Sequence, residues 1–173
     1  RLMSILNLNY FEIFDIEVEI SINIDQLNKK YFSLQSKFHP DKFADSSNLE
    51  KSMATRISTY INDGYNTLSD FVSRVDYILK INDFIIDDNQ TLKNSSFLSE
   101  QMIISDKISE AQPNEYDQIK NEITEKIKLL IPKMKSNLSN HEFDTLYQNN
   151  SMMKFYKKNI NQLSISDGTD TNI

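Results

Sequence analysis

Two glycines, Gly64 and Gly168, and three prolines, Pro40, Pro113 and Pro132, are the only such residues in this 173-residue chain. A sheet of hairpins draws on glycine and proline in turn after turn, and so few of both leave that architecture poorly supplied. A glycine-rich phosphate loop lacks its material for the same reason. Apolar residues instead recur at spacings of three and four along most of the chain, so the sequence predicts an all-α fold. With 39% hydrophobic residues the chain can fill the core of one large domain or two small ones.

Tyr10, Phe11 and Phe14 open a short first helix, and the alternating, acid-rich stretch from Glu17 to Ile24 reads as a loop. Asp25 is the expected cap of a second helix carrying Leu27, Tyr31, Leu34 and Phe38. Pro40 must end it near Phe38, because proline lacks an amide hydrogen and pushes the preceding residue out of helical geometry. Ser47 and Glu50 form a capping-box signature for a long third helix with Met53, Ile57, Ile61, Tyr65 and Leu68 on one stripe. Phe71, Val75, Ile78 and Leu79 make a fourth.

Three further helices are expected after the polar stretch from Asp83 to Asn94. The first runs from Asn94 to the break at Gln112-Pro113, and the second keeps its period from Tyr116 to Leu138. Pro132 should kink or split that helix, since an interior proline costs about 3 kcal/mol. Ser139 and Glu142 suggest a capping box for the last helix, and the polar end after Leu163 looks frayed.

The formal net charge is −6, which repels a phosphate backbone and argues against nucleic acid as a partner. No apolar run approaches the roughly 20 residues that cross a bilayer, and no basic stretch leads into a secretory core, so the chain reads as soluble and intracellular with no membrane role. Cysteine is absent, which removes thiolate chemistry and cysteine-bound metals. His39 with Asp41, Asp45 and His141 is the one combination that could hold a metal, and no metal or cofactor is expected.

Lys37-Phe38-His39-Pro40-Asp41-Lys42-Phe43 joins two amphipathic helices of unequal length. The proline restricts the turn, so His39 and Asp41 are presented on a tip. Between Gln26 and Pro40 there is no acid, whereas Lys29, Lys30 and Lys37 make one basic helix in an acidic chain. The bland alternative is a polar loop beside a solvated face. This arrangement resembles a J domain. The resemblance implies that His39, Pro40 and Asp41 stimulate ATP hydrolysis by a heat-shock chaperone, that Asp41 meets an arginine there, and that Lys29, Lys30, Lys37 and Lys42 approach its acidic surface.

The resemblance narrows to the HscB co-chaperones through further stretches. These are Asn9-Tyr10-Phe11-Glu12-Ile13-Phe14, the Lys42-Phe43-Ala44 after the tripeptide, Ile61 to Leu68, Arg74 to Leu79 and, most specifically, Ser96-Phe97-Leu98-Ser99-Glu100-Gln101-Met102. It implies a J domain over residues 1–82, a connecting segment over 83–93, a three-helix scaffold-binding domain over 94–164 and a frayed tail over 165–173. It also implies two partners, an iron-sulfur cluster scaffold protein of the IscU type and a chaperone of the HscA type, and no catalytic residue.

In that family the second domain binds the scaffold through an exposed patch of apolar and charged residues. At about 100° per residue Phe97, Ile104 and Ile108 form one core stripe, and Leu98 and Met102 lie off it. Phe155 points away from the stripe of Leu146, Met153 and Ile160. The expected patch is therefore Leu98, Met102 and Phe155, with Lys93 and Asp106 as charged contacts. Ser99 and Ile103 depart from the family's usual methionine and acid. A J protein with another client, or a helical interaction protein without chaperone function, would leave the tripeptide or this patch idle.

Overall fold

The computed structural model describes residues 2–87, 92 and 94–166, and these residues contain helices, turns and loops but no strand. The all-α expectation holds. The chain divides into two compact units, Arg1–Asp83 and Phe84–Ile173.

The first unit contains α1 (Tyr10–Ile13), α2 (Ile24–Phe38), α3 (Asn48–Ser69) and α4 (Phe71–Ile81), with 3-10 turns at Leu2–Asn7 and Pro40–Phe43. A capping box holds even the single turn of α1: the Glu12 amide donates to Asn9 Oδ1 at 3.0 Å, and the Asn9 amide to Glu12 Oε2 at 2.7 Å. Residues 17–23 form the expected loop. The cap of α2 is Asn23, not Asp25. Asn23 is in extended geometry outside the helix, and its Oδ1 accepts from the Gln26 amide at 3.0 Å. Asp25 sits inside the first turn, where its charge favours the helix dipole without capping it. Ser47 and Glu50 form their capping box as the sequence predicts.

α2 and α3 pack as a hairpin, burying Leu27 and Phe38 from one helix and Ala54, Ile57, Ile61 and Leu68 from the other. Along one edge polar and aromatic groups cross-link the pair. Tyr31 donates to Asn62 and Tyr65 to Asn28, both at 2.9 Å, and the two tyrosine rings stack at 4.1 Å. Such directional bonds fix the register of two helices that apolar packing alone leaves free to slide.

Gly64 lies where α1 meets α3. A Cβ there would stand 2.9 Å from Tyr10 Cδ1 and 3.1 Å from Phe14 Cε2. The Tyr10 ring cannot easily retreat, being stacked on Tyr77 at 4.5 Å and set against Tyr60 at 5.1 Å. The helix thus carries the roughly 1 kcal/mol penalty of an interior glycine to let α1 approach. Arg74 is buried at 4% exposure and joins three pieces of backbone. From α4 it donates through Nε to the Ile20 carbonyl at 3.1 Å, and through Nη1 to Leu68, the end of α3. Burial lowers its affinity for the proton, and nearby Asp70 opposes that shift.

The second unit is an up-down-up bundle of α5 (Ser95–Glu110), α6 (Tyr116–Ser139) and α7 (Phe143–Ser166), with a 3-10 turn at Pro113–Glu115. Pro132 does not split α6. Ile119 and Ile123 before it and Leu130 and Met134 around it are buried in one stripe, and their packing outweighs the lost hydrogen bond. The expected capping box at Ser139 is also absent. Ser139 is the last residue of α6 and its hydroxyl donates back to the Lys135 carbonyl at 3.1 Å. Glu142 instead accepts from Asn137 Nδ2 at 2.7 Å, and the turn is made through His141 at a φ of 59°. α7 continues to Ser166; positions 167–173 of the expected frayed tail lie outside the described residues.

Candidate partner-binding sites

Pro40 sets the geometry of the tripeptide. His39, just outside α2, takes φ −59° and ψ 131°, and the chain then tightens into the 3-10 turn. The Lys42 amide donates to the His39 carbonyl at 3.0 Å and the Ala44 amide to the Asp41 carbonyl at 3.3 Å, and this turn packs on α3. His39 Nδ1 accepts from the Asp41 amide at 3.3 Å, which assigns the ring proton to Nε2. The same Nδ1 lies 3.5 Å from Asp41 Oδ2. One nitrogen cannot accept from the amide and donate to the carboxylate, and a pair of side chains 54% and 92% exposed contributes little. The amide bond therefore accounts for the pose of His39, and the Asp41 carboxylate points into solvent.

The lysines of α2 are not equivalent. Lys29 is exposed, whereas Lys30 Nζ lies 2.8 Å from Asp15 Oδ2 and holds that carboxyl below its usual range. Lys37 places its ammonium 5.3 Å from the centre of the Phe38 ring, and Lys42 is exposed beside Asp41. The structure thus gathers His39, Pro40, Asp41, Lys37 and Lys42 at one end of α2, with Lys29 further along it and Lys30 turned to a neighbour. Sequence reasoning missed Phe32, which is 67% exposed on this helix. The signal was available: Phe32 falls about 100° round from Tyr31, off the stripe of Leu27, Tyr31, Leu34 and Phe38.

In the second unit α5 and α7 are neighbours. Phe97 is buried between them, edge-on to Phe155 at 5.8 Å and to Tyr156 at 5.4 Å. Glu100 ties all three helices. It pairs with Lys126 of α6 and accepts from the Tyr156 hydroxyl of α7 at 3.0 Å; burial, with Glu100 beside it, raises that phenol's pKa. Lys107 and Glu122 make a second α5–α6 ion pair at 2.6 Å. Leu98 and Met102 lie on the side of α5 roughly opposite these ion pairs. Met102 and Ile103 are 71% and 68% exposed, whereas Leu98 and Phe155 are only 39% and 38% exposed. Ser99 and Asp106 are exposed on the outer face of α5. Phe155 borders the α5–α7 seam through Phe97, and Lys93 lies outside the described residues.

Among the described residues no three histidine or acidic side chains are grouped to hold a metal ion, and no helix is long and apolar enough to cross a membrane. Residues 93–164 match the family model described as the HSCB C-terminal oligomerisation domain. A co-chaperone protein HscB homolog of Neisseria meningitidis is 32% identical over 160 residues, covering 90% of this chain and 96% of that one. The chain belongs to the HscB co-chaperone family. An HscB homolog of Shewanella amazonensis is 38% identical over 96 residues, 55% of each chain. The HscB structure from Vibrio cholerae shares the fold, with a TM-score of 0.83 at 23% identity over 93% of this chain and 98% of that one. The crystal structure of human co-chaperone HscB gives 0.85 at 25% identity over 92% and 82%. The relatives from Neisseria and Shewanella are both named co-chaperones.

Proposed function

We propose that this HscB-family chain binds an IscU-type iron-sulfur scaffold protein through its second unit, delivers it to an HscA-type chaperone, and stimulates that chaperone's ATPase through its first. The observation that carries the reading is the solvent-facing Asp41 carboxylate, 92% exposed on a proline-fixed turn at the end of a basic helix. A carboxylate held in this way has lost little freedom to give up on docking, and a guanidinium partner would meet it with charge-assisted bonds. On this reading residues 1–82 act as the J domain and 94–164 as the scaffold-binding domain. The protein would work where its partners do, in a bacterial cytoplasm or, for a eukaryotic source, a mitochondrial matrix.

The scaffold surface is assigned to Leu98, Met102 and Phe155, with Ser99, Ile103, Asp106 and Lys93 around them. Met102→Ala alone, and Leu98→Ala with Phe155→Ala, should each weaken scaffold binding by about 2 kcal/mol or more in calorimetric titration. Met102→Ala should leave thermal melting unchanged, because its side chain is mostly in water. The double variant should lose less than the roughly 2 to 5 kcal/mol of a core truncation, since both residues are partly exposed. Normal binding by all these variants would remove the patch from the account.

A further inference from the structure

We infer that Phe32 is an apolar anchor on the chaperone-docking face of α2, fitting an acidic partner surface that contains an apolar recess. The inference rests on the reading of α2 and the His39 tip as the chaperone site, and it deepens that reading. Phe32 is 67% exposed. It is also held in place: its ring is tilted against Tyr31 at 5.5 Å, and Tyr31 is itself stacked on Tyr65 and bonded to Asn62. An aromatic presented on a locked neighbour loses little freedom when a partner covers it.

The surroundings specify the partner. On the helical surface Lys29 precedes Phe32 by three residues and Ser36 follows by four, with exposed Ser33 alongside. The ring therefore rises above small hydroxyls, and a partner surface can reach it unhindered. No acidic side chain occurs between Gln26 and Pro40, so the rim is cationic and the complementary surface is acidic. Charge alone makes a thin interface here. Lys30 is paired with Asp15, and the remaining exposed lysines meet a partner through water and salt, where each contributes little. Lysines that steer and a central aromatic that is desolvated divide the work as in other interfaces: the charges set the encounter rate, and the buried ring sets how long the complex lasts. Membranes also attract basic helices, yet one aromatic on a helix with serines beside it offers no continuous apolar face to insert.

The test uses the full chain and a purified HscA-type chaperone, with ATPase stimulation titrated against co-chaperone concentration at low and moderate salt. Phe32→Ala should raise the half-maximal concentration roughly tenfold, with the same relative salt dependence as the unsubstituted chain. Phe32→Tyr should restore most of the effect, and both variants should melt normally because the ring is largely in solvent. Asp41→Asn serves as the control for the underlying reading. An unchanged half-maximal concentration for Phe32→Ala, alongside lost stimulation for Asp41→Asn, overturns the anchor and spares the docking site. Full stimulation by Asp41→Asn overturns the docking reading, and the anchor with it. If Phe32→Ala melts early, Phe32→Gln at full stability with an unchanged half-maximal concentration also overturns the anchor.

Discussion

Asp41→Asn is expected to abolish stimulation of the chaperone ATPase while leaving the fold untouched. Asparagine has the size of aspartate and leaves the main-chain amide that donates to His39 Nδ1 in place. It removes only the charge, and that charge faces solvent with 92% of the side chain exposed. A surface change of this kind alters folding stability by about 0.5 kcal/mol at most. In a complex the same loss is large, because a guanidinium buried against the tip would keep its desolvation cost and lose its partner, which costs roughly 2 to 5 kcal/mol. Steady-state ATPase with saturating chaperone, paired with thermal melting, separates the two. Stimulation within twofold of the unsubstituted chain would show that the tip only shapes a loop.

The second large effect is on folding. Arg74→Ala should destabilise the first unit by roughly 3 to 5 kcal/mol, a substantial part of the 5 to 15 kcal/mol that holds a typical domain together. The substitution leaves the Ile20 and Leu68 carbonyls without the donors they now use, and empties the space of a side chain packed over the Phe71 ring at 5.3 Å. Arg74→Lys should fail nearly as badly, since one ammonium cannot reach two carbonyls with the fixed fork of a guanidinium. Urea unfolding followed by circular dichroism checks both, read on the transition of the first unit if the two units separate. A loss below about 1 kcal/mol would mean that water replaces the guanidinium at both carbonyls.

Arg74 also marks the boundary of what was legible beforehand. The helical periods, the stop imposed by Pro40 and the capping box of Ser47 and Glu50 follow from chain-local rules, and the structure shows them. The cap of α2 went to Asn23 because two residues separated by Ile24 could each supply an oxygen, and only the one outside the helix can reach the third amide. Ser139 and Glu142 satisfy the capping pattern, but buried packing on α7 keeps α6 helical through Ser139. Pro132 survives for the same reason. Local rules do not contain tertiary packing energy, and at these positions packing decides.

The candidate sites divide in the same way. The tripeptide was legible because proline, a helix end and a helix start lie within a dozen residues. The seam of α5 and α7 was partly legible: the period placed Leu98 and Met102 off the core stripe, while the half-burial of Leu98 and Phe155 depends on how the helices meet. The tie of Lys30 to Asp15 joins residues in different elements, and nothing in the local pattern shows it. Gly64 gave no signal of its role either, because the reason for it is the ring of Tyr10 in another helix.

Single-turnover hydrolysis by an ATP-loaded HscA-type chaperone tests the central claim most directly, measured alone, with this chain, with an IscU-type scaffold, and with both. The account predicts faster hydrolysis with the chain alone and a further acceleration, greater than the product of the separate effects, when the scaffold is also present. Rates with the chain that match those of the chaperone alone, with and without scaffold, would contradict it.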